Sequence, residues 1–124
     1  MASNSSIKFT IAFNDPDFDS EELDEQAQRL MSELKQMDDV ETNLVLDPNP
    51  PEGNKSMGGF LVGLLTAQVT PENAKKLLGF LGDRLGGKAI ELTVEGNGKK
   101  LSVKASSREE LEVVMKAAQD FLAA

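Results

Sequence analysis

The feature that most constrains this chain is residues 90–105, where Asn97-Gly98 sits between two alternating runs. Asn-Gly is the preferred pair for a two-residue type I′ turn, whose twist matches that of the strands it joins. Such a turn makes facing residue numbers sum to 195. Ile90, Leu92 and Val94 then meet Ala105, Val103 and Leu101, while Glu91 and Glu95 meet Lys104 and Lys100 on the other side. Turn chemistry, apolar pairing and charge pairing all select one antiparallel ribbon with one face to bury.

The same period of two runs through Ile7, Phe9, Ile11 and Phe13, with Lys8, Thr10 and Ala12 between them. Val40, Thr42, Leu44 and Leu46 predict another half-buried strand. Helical signals separate these strands. Asp19 is a good N-cap and Glu22 can close a capping box, followed by the stripe Leu23, Ala27, Leu30, Met31, Leu34 and Met37. Thr70-Pro71 opens a second helix with Ala74, Leu77, Leu78, Leu81 and Leu85 on one face, and Gly86-Gly87 ends it. Ser107 and Glu110 cap a third, with Leu111, Val114, Met115, Ala118, Phe121 and Leu122 as its stripe.

Met57 to Val69 is apolar or small all round and predicts a buried or partner-covered helix. The expected order is β-α-β-α(α)-β-β-α in a single α+β domain over residues 1–124. That is a two-layer sandwich, a four-stranded sheet with helices on one face. Residues 1–5 are expected to form a loose tail, and the Pro- and Gly-rich stretch 47–56 a loop.

Composition narrows the chemistry. The 124 residues contain no His, Cys, Trp or Tyr. Disulfides, thiol nucleophiles, thiolate metal sites and imidazole general bases are therefore excluded. The balance of 13 Lys and Arg against 21 Asp and Glu, net −8, disfavours nucleic acid and anionic membranes as partners. Residues 14–41 alone hold eleven acids and two bases. Met57–Val69, at 13 residues, is too short to cross a bilayer, which takes about 20. The opening MASNSSIKF lacks a basic segment followed by an apolar core, so a cytoplasmic protein is expected.

Candidate sites are few. Asp15-x-Asp17-x-Asp19 resembles the start of a calcium loop, but Ser20 and Gln26 stand where that loop needs Gly and Glu. The better reading is a turn with a cap. Gly53-Asn54-Lys55-Ser56 approaches a phosphate loop without its spacing. No catalytic residue, cofactor or metal is therefore expected. The apolar segments offer partner contacts instead: Phe60, Leu61, Leu64 and Leu65 on one face of the 57–69 helix, with Gly59-x-x-x-Gly63 allowing close backbone approach. Phe80, beside Lys76 and Arg84, adds an aromatic anchor.

Asn14-Asp-Pro-Asp-Phe-Asp19 running into Glu21-Glu-Leu-Asp-Glu25, then Leu30-Met-Ser-Glu-Leu34, Asp39-Val-Glu41 and Pro50-Pro-Glu-Gly-Asn-Lys55, resembles the "effector-associated constant component" family of bacterial NTP-dependent conflict systems. The resemblance runs from about Ile7 to Leu122 and is most specific at Asp15–Asp19. It implies a non-enzymatic accessory protein of antiviral or programmed-death loci, linking sensing to an effector. The effector is a caspase-like or trypsin-like peptidase, or an associated NTPase. The expected function is an adaptor binding that effector through an apolar helical surface over 57–85, with homo-oligomerisation possible. The alternative is a membrane-active or self-assembling component that exposes these helices on activation.

Overall fold

A computed structural model describes residues 6–37, 40–46, 60–96 and 98–123, with backbone alone at Leu46, Phe60, Leu61, Val62 and Ala123. The elements run β1 (Ile7–Phe13), α1 (Ser20–Leu34), β2 (Glu41–Leu46), β3 (Phe60–Val69), α2 (Pro71–Arg84), β4 (Ile90–Gly96), β5 (Lys99–Ala105) and α3 (Arg108–Ala123). The strands form one antiparallel sheet of order β2-β3-β1-β4-β5.

The two-layer α+β architecture agrees with the expectation, but the sheet has five strands, not four. The difference is β3. The segment expected to be helical contributes a strand over 60–69, so the order becomes β-α-β-β-α-β-β-α. Leu and Ala favour helices, and an apolar run does not reveal its own period. Two signals point the other way. Thr66 and Gln68 alternate with Leu65, Ala67 and Val69, and the position before a proline disfavours helix. Thr70 is extended at φ −74°, ψ 158°. Among the described residues of 57–85, a strand and one helix stand where a helical hairpin or broken helix was expected. Met57–Gly59, the tail at 1–5 and the loop at 47–56 lie outside the described residues.

The 90–105 ribbon has the expected register, from Ile90 opposite Ala105 to Gly96 opposite Lys99. Gly98 has φ +75°, as a primed turn requires. At α1 the capping box is complete: Asp19 Oδ1 accepts from the Glu22 amide at 2.9 Å, and Glu22 Oε1 accepts from the Asp19 amide at 3.0 Å. At α3, Ser107 Oγ accepts from the Glu110 amide at 3.1 Å. The Glu110 carboxylate turns to Ser106 instead, taking both its amide and its hydroxyl at 2.7 Å.

The three helical stripes pack on the sheet face that carries Ile7, Phe9, Ile11, Phe13, Leu65, Ala67, Val69, Ile90, Leu92 and Val94, which together form the buried core. Among the described residues, helices therefore occupy one side of the sheet and leave the other uncovered.

Candidate functional site: the uncovered sheet face

In a strand, alternate residues point to opposite faces, and cross-strand partners share a face. The registers therefore place Asn43, Thr66, Thr10, Thr93 and Ser102 in one rank running across all five strands, on the side away from the helices. Four spacings of about 4.8 Å make this rank about 19 Å long. Every member carries a hydroxyl or an amide.

Charged ranks flank it. Glu41, Gln68, Lys8, Glu95 and Lys100 form one; Leu64, Ala12, Glu91 and Lys104 lie on the opposite side. The face holds three acids, Glu41, Glu91 and Glu95, and three lysines, Lys8, Lys100 and Lys104. It is neutral on a chain of net −8.

Hydrogen bonds tie part of the central rank together. Ser102 Oγ donates to Glu91 Oε2 at 3.4 Å, which leaves Thr93 Oγ1 to donate to Ser102 across 3.1 Å. Thr66 Oγ1 donates to the Asn43 carbonyl at 3.3 Å. Among the described residues the ion pair within 4.0 Å is Arg84 Nε to Glu33 Oε1 at 3.5 Å, in the helical layer. Lys8, Lys100 and Lys104 make no ion pair among the described residues.

The residues singled out from sequence do not form one surface. Leu65 is 0% exposed in the core, and Leu64, its neighbour, is half-buried on the uncovered face. The Phe60 and Leu61 side chains lie outside the described set. Phe80 sits in the helical layer, partly buried against the core with the Arg84 guanidinium 4.9 Å above its ring. Arg84 thus covers an aromatic that was expected to anchor a partner.

Gly63 does permit a close approach, but from within the chain. It has φ +72°, and a Cβ there would lie 3.0 Å from the Phe13 carbonyl oxygen and 3.3 Å from Leu23 Cβ. The β2–β3 register shifts beside it, between Leu44 and Leu46. Gly59 lies outside the described residues.

Asp15, Asp17 and Asp19 act locally. Asp15 Oδ1 accepts from the Asp17 amide at 2.9 Å, an Asx turn, and Asp19 is the α1 cap. Among the described residues no three acidic side chains converge closely enough to hold a metal ion. Asp24, 7% exposed, is satisfied by Gln28 Nε2 at 2.7 Å. A groove of about 410 Å³ between α2 and α3 is lined by Arg108, Glu112, Met115 and Lys116, among others. Its charged side chains, Arg108, Glu112 and Lys116, are exposed.

Sequence reasoning missed the hydroxyl rank. Thr10, Thr93 and Ser102 were readable as outward positions, but aligning them with Asn43 and Thr66 requires the strand order.

No protein-family model matches the chain, and no curated protein matches it. A crystal structure from Nostoc punctiforme PCC 73102, of a protein described as a putative dioxygenase, aligns over 93% of this chain and 97% of that one. Identity is 14% and the TM-score 0.48, values that transfer neither fold nor chemistry. Among the described residues no helix is long and apolar enough to cross a membrane.

Proposed function

We infer that this chain is a non-enzymatic accessory or adaptor protein that binds and regulates an effector protein, and that it docks through the uncovered face of its sheet. One observation carries this reading: among the described residues a five-stranded sheet has its helices on one side and a mostly polar face on the other. Polar, hydroxyl-rich side chains of balanced charge suit a folded protein surface better than a polyanion, which selects clustered Lys and Arg.

The resemblance to the conflict-system family supplies the class of effector, a caspase-like or trypsin-like peptidase or an associated NTPase in the cytoplasm. Leu64 stays in the proposed contact because it lies on this face. Leu65 leaves it because it belongs to the core.

The test is recovery of partners from the native host with tagged protein, wild type against Thr66→Arg/Thr93→Arg. Both substitutions add bulk and charge to the middle of the face and leave the core untouched. Recovery of a peptidase or NTPase by the wild type and its loss in the double variant supports the reading. Equal recovery by both removes the sheet face from it, and recovery of no effector by the wild type overturns the adaptor function.

A further inference from the structure

We propose that the uncovered sheet face docks a second copy of this chain, about a two-fold axis running along β1, so that the dimer occupies the surface an effector would take. The proposal rests on the reading of this face as a docking surface and adds the identity of its first occupant.

The argument begins with charge. A second copy brings another net −8, so most of the surface repels its own kind. Residues 14–25 carry seven acids and no base. The sheet face is different, because its three acids and three lysines cancel. There, two copies meet without net repulsion.

The layout is also self-complementary at the sheet edges and along the central rank. The sheet order places β1 at the centre, β3 and β4 beside it, and β2 and β5 at the edges. A two-fold axis along β1 lays β2 of one copy over β5 of the other, with the ranks preserved. Glu41 then faces Lys100 of the partner copy, and the pair occurs twice.

In the central rank Asn43 faces Ser102, Thr66 faces Thr93, and Thr10 faces its own counterpart. The Thr66, Thr93 and Ser102 hydroxyls keep the bonds they donate within their own chain. The Asn43 amide donates to Ser102 of the second copy, and the two Thr10 hydroxyls pair. In the outer rank Glu91 lies over Leu64 of the second copy and keeps its bond from Ser102. Ala12 meets Ala12 on the axis and leaves room for close approach. Lys8 also meets its own copy there, flanked by its register partner Glu95 on each chain.

Packed sheets cross at about 30°, so the axis bisects the two β1 strands, each about 15° from it, and the edge strands are displaced by about 5 Å, within the span of Glu and Lys side chains. Lys100 makes no ion pair within its own chain among the described residues and is free to pair with Glu41 of the second copy.

The area sets the strength. Five strands at about 4.8 Å by five residues at about 3.3 Å give about 400 Å² of sheet per copy. Even with side-chain relief, the total stays near the low end of specific interfaces, as for transient complexes. The expected species is a weak, exchanging dimer that an effector can displace.

The test is sedimentation velocity of the purified full chain from about 10 µM to 1 mM at physiological salt. Wild type should shift from monomer to dimer across this range. Glu41→Lys and Lys100→Glu should each weaken dimerisation at least ten-fold, because each sets like charges in both edge pairs. Mixing the two variants, or combining both substitutions in one chain, should restore it to within about three-fold of wild type, since both edge pairs are then opposite again.

A monomer at 1 mM overturns the proposal. So does a dimer indifferent to both single substitutions, or one whose loss the mixture does not restore. The measurement uses this chain alone, so its failure leaves the effector reading standing. Failure of the host recovery experiment likewise leaves the dimer standing.

Discussion

Two glycines in this fold have opposite reasons for being where they are. Gly63 holds φ +72° against the Phe13 carbonyl and Leu23, so a methyl group there is both strained and crowded. Gly63→Ala is expected to lower stability by about 2 kcal/mol or more. Gly79 lies within α2, where a Cβ would meet no described atom within 4 Å. Gly79→Ala should raise stability by about 0.5–1 kcal/mol, through its effect on the unfolded chain. Urea denaturation of both variants reads the two signs in one experiment. Equal destabilisation would mean that a contact covers Gly79 in solution.

At the scale of elements, β3 separates core from surface along a single strand. Leu65→Asp puts a charge into the core and is expected to abolish the cooperative thermal transition and the helical far-UV signal. Leu64→Asp, one residue away on the open face, should keep both. If Leu64→Asp unfolds the chain as well, the face assigned to β3 is wrong.

The start of α3 adds a pH dependence. The hydroxyl and then the amide of Ser106 bond the Glu110 carboxylate and hold it below its ordinary value of 4.5. A carboxylate depressed in the folded state stabilises the fold above its unfolded pKa. That contribution is lost as pH falls through the folded value. The melting-temperature difference between wild type and Glu110→Gln should therefore be constant above about pH 6 and shrink on acidification below 4.5. A difference that is flat down to about pH 3 would remove Glu110 from this role.

These elements also show what the sequence made legible. The 90–105 ribbon, the Asp19 box and all three stripes were readable because each depends on residues close together in the chain. At α3 the cap was readable, but the Glu110 partner was Ser106, one residue earlier than a capping box implies. β3 was not readable as a strand, since Leu64, Leu65 and Ala67 suit either conformation and pairing with β1 decided the matter. The grouping of Leu64 with Leu65 on one face fails for the same reason. A helix would have put Leu64 and Leu65 on one face, whereas a strand puts them on opposite faces.

At the scale of the whole molecule, the charge distribution explains why one surface differs from the rest. Excess acid gathers at the entry to α1, where the helix dipole favours it, and the sheet face away from the helices stays neutral. The β2 and β5 edges are guarded by Glu41 and by Lys99, Lys100 and Lys104, which discourage strand addition at either edge. In the proposed dimer these charges steer association from the edges to the face, and the charge-exchange experiment tests that.

The central place of β1 has a consequence for how the chain is made. Its two neighbours are β3 and β4, and Ile7 pairs with Val69 while Phe13 pairs with Ile90. β1 is synthesised before both of its neighbours and has neither of them to pair with until residues 60–96 follow it. Through that interval Ile7, Phe9, Ile11 and Phe13 stand on a strand with both edges open. That is the condition in which nascent chains recruit chaperones or cross-associate. Production of this protein should accordingly be more sensitive to the rate of translation than its modest size suggests.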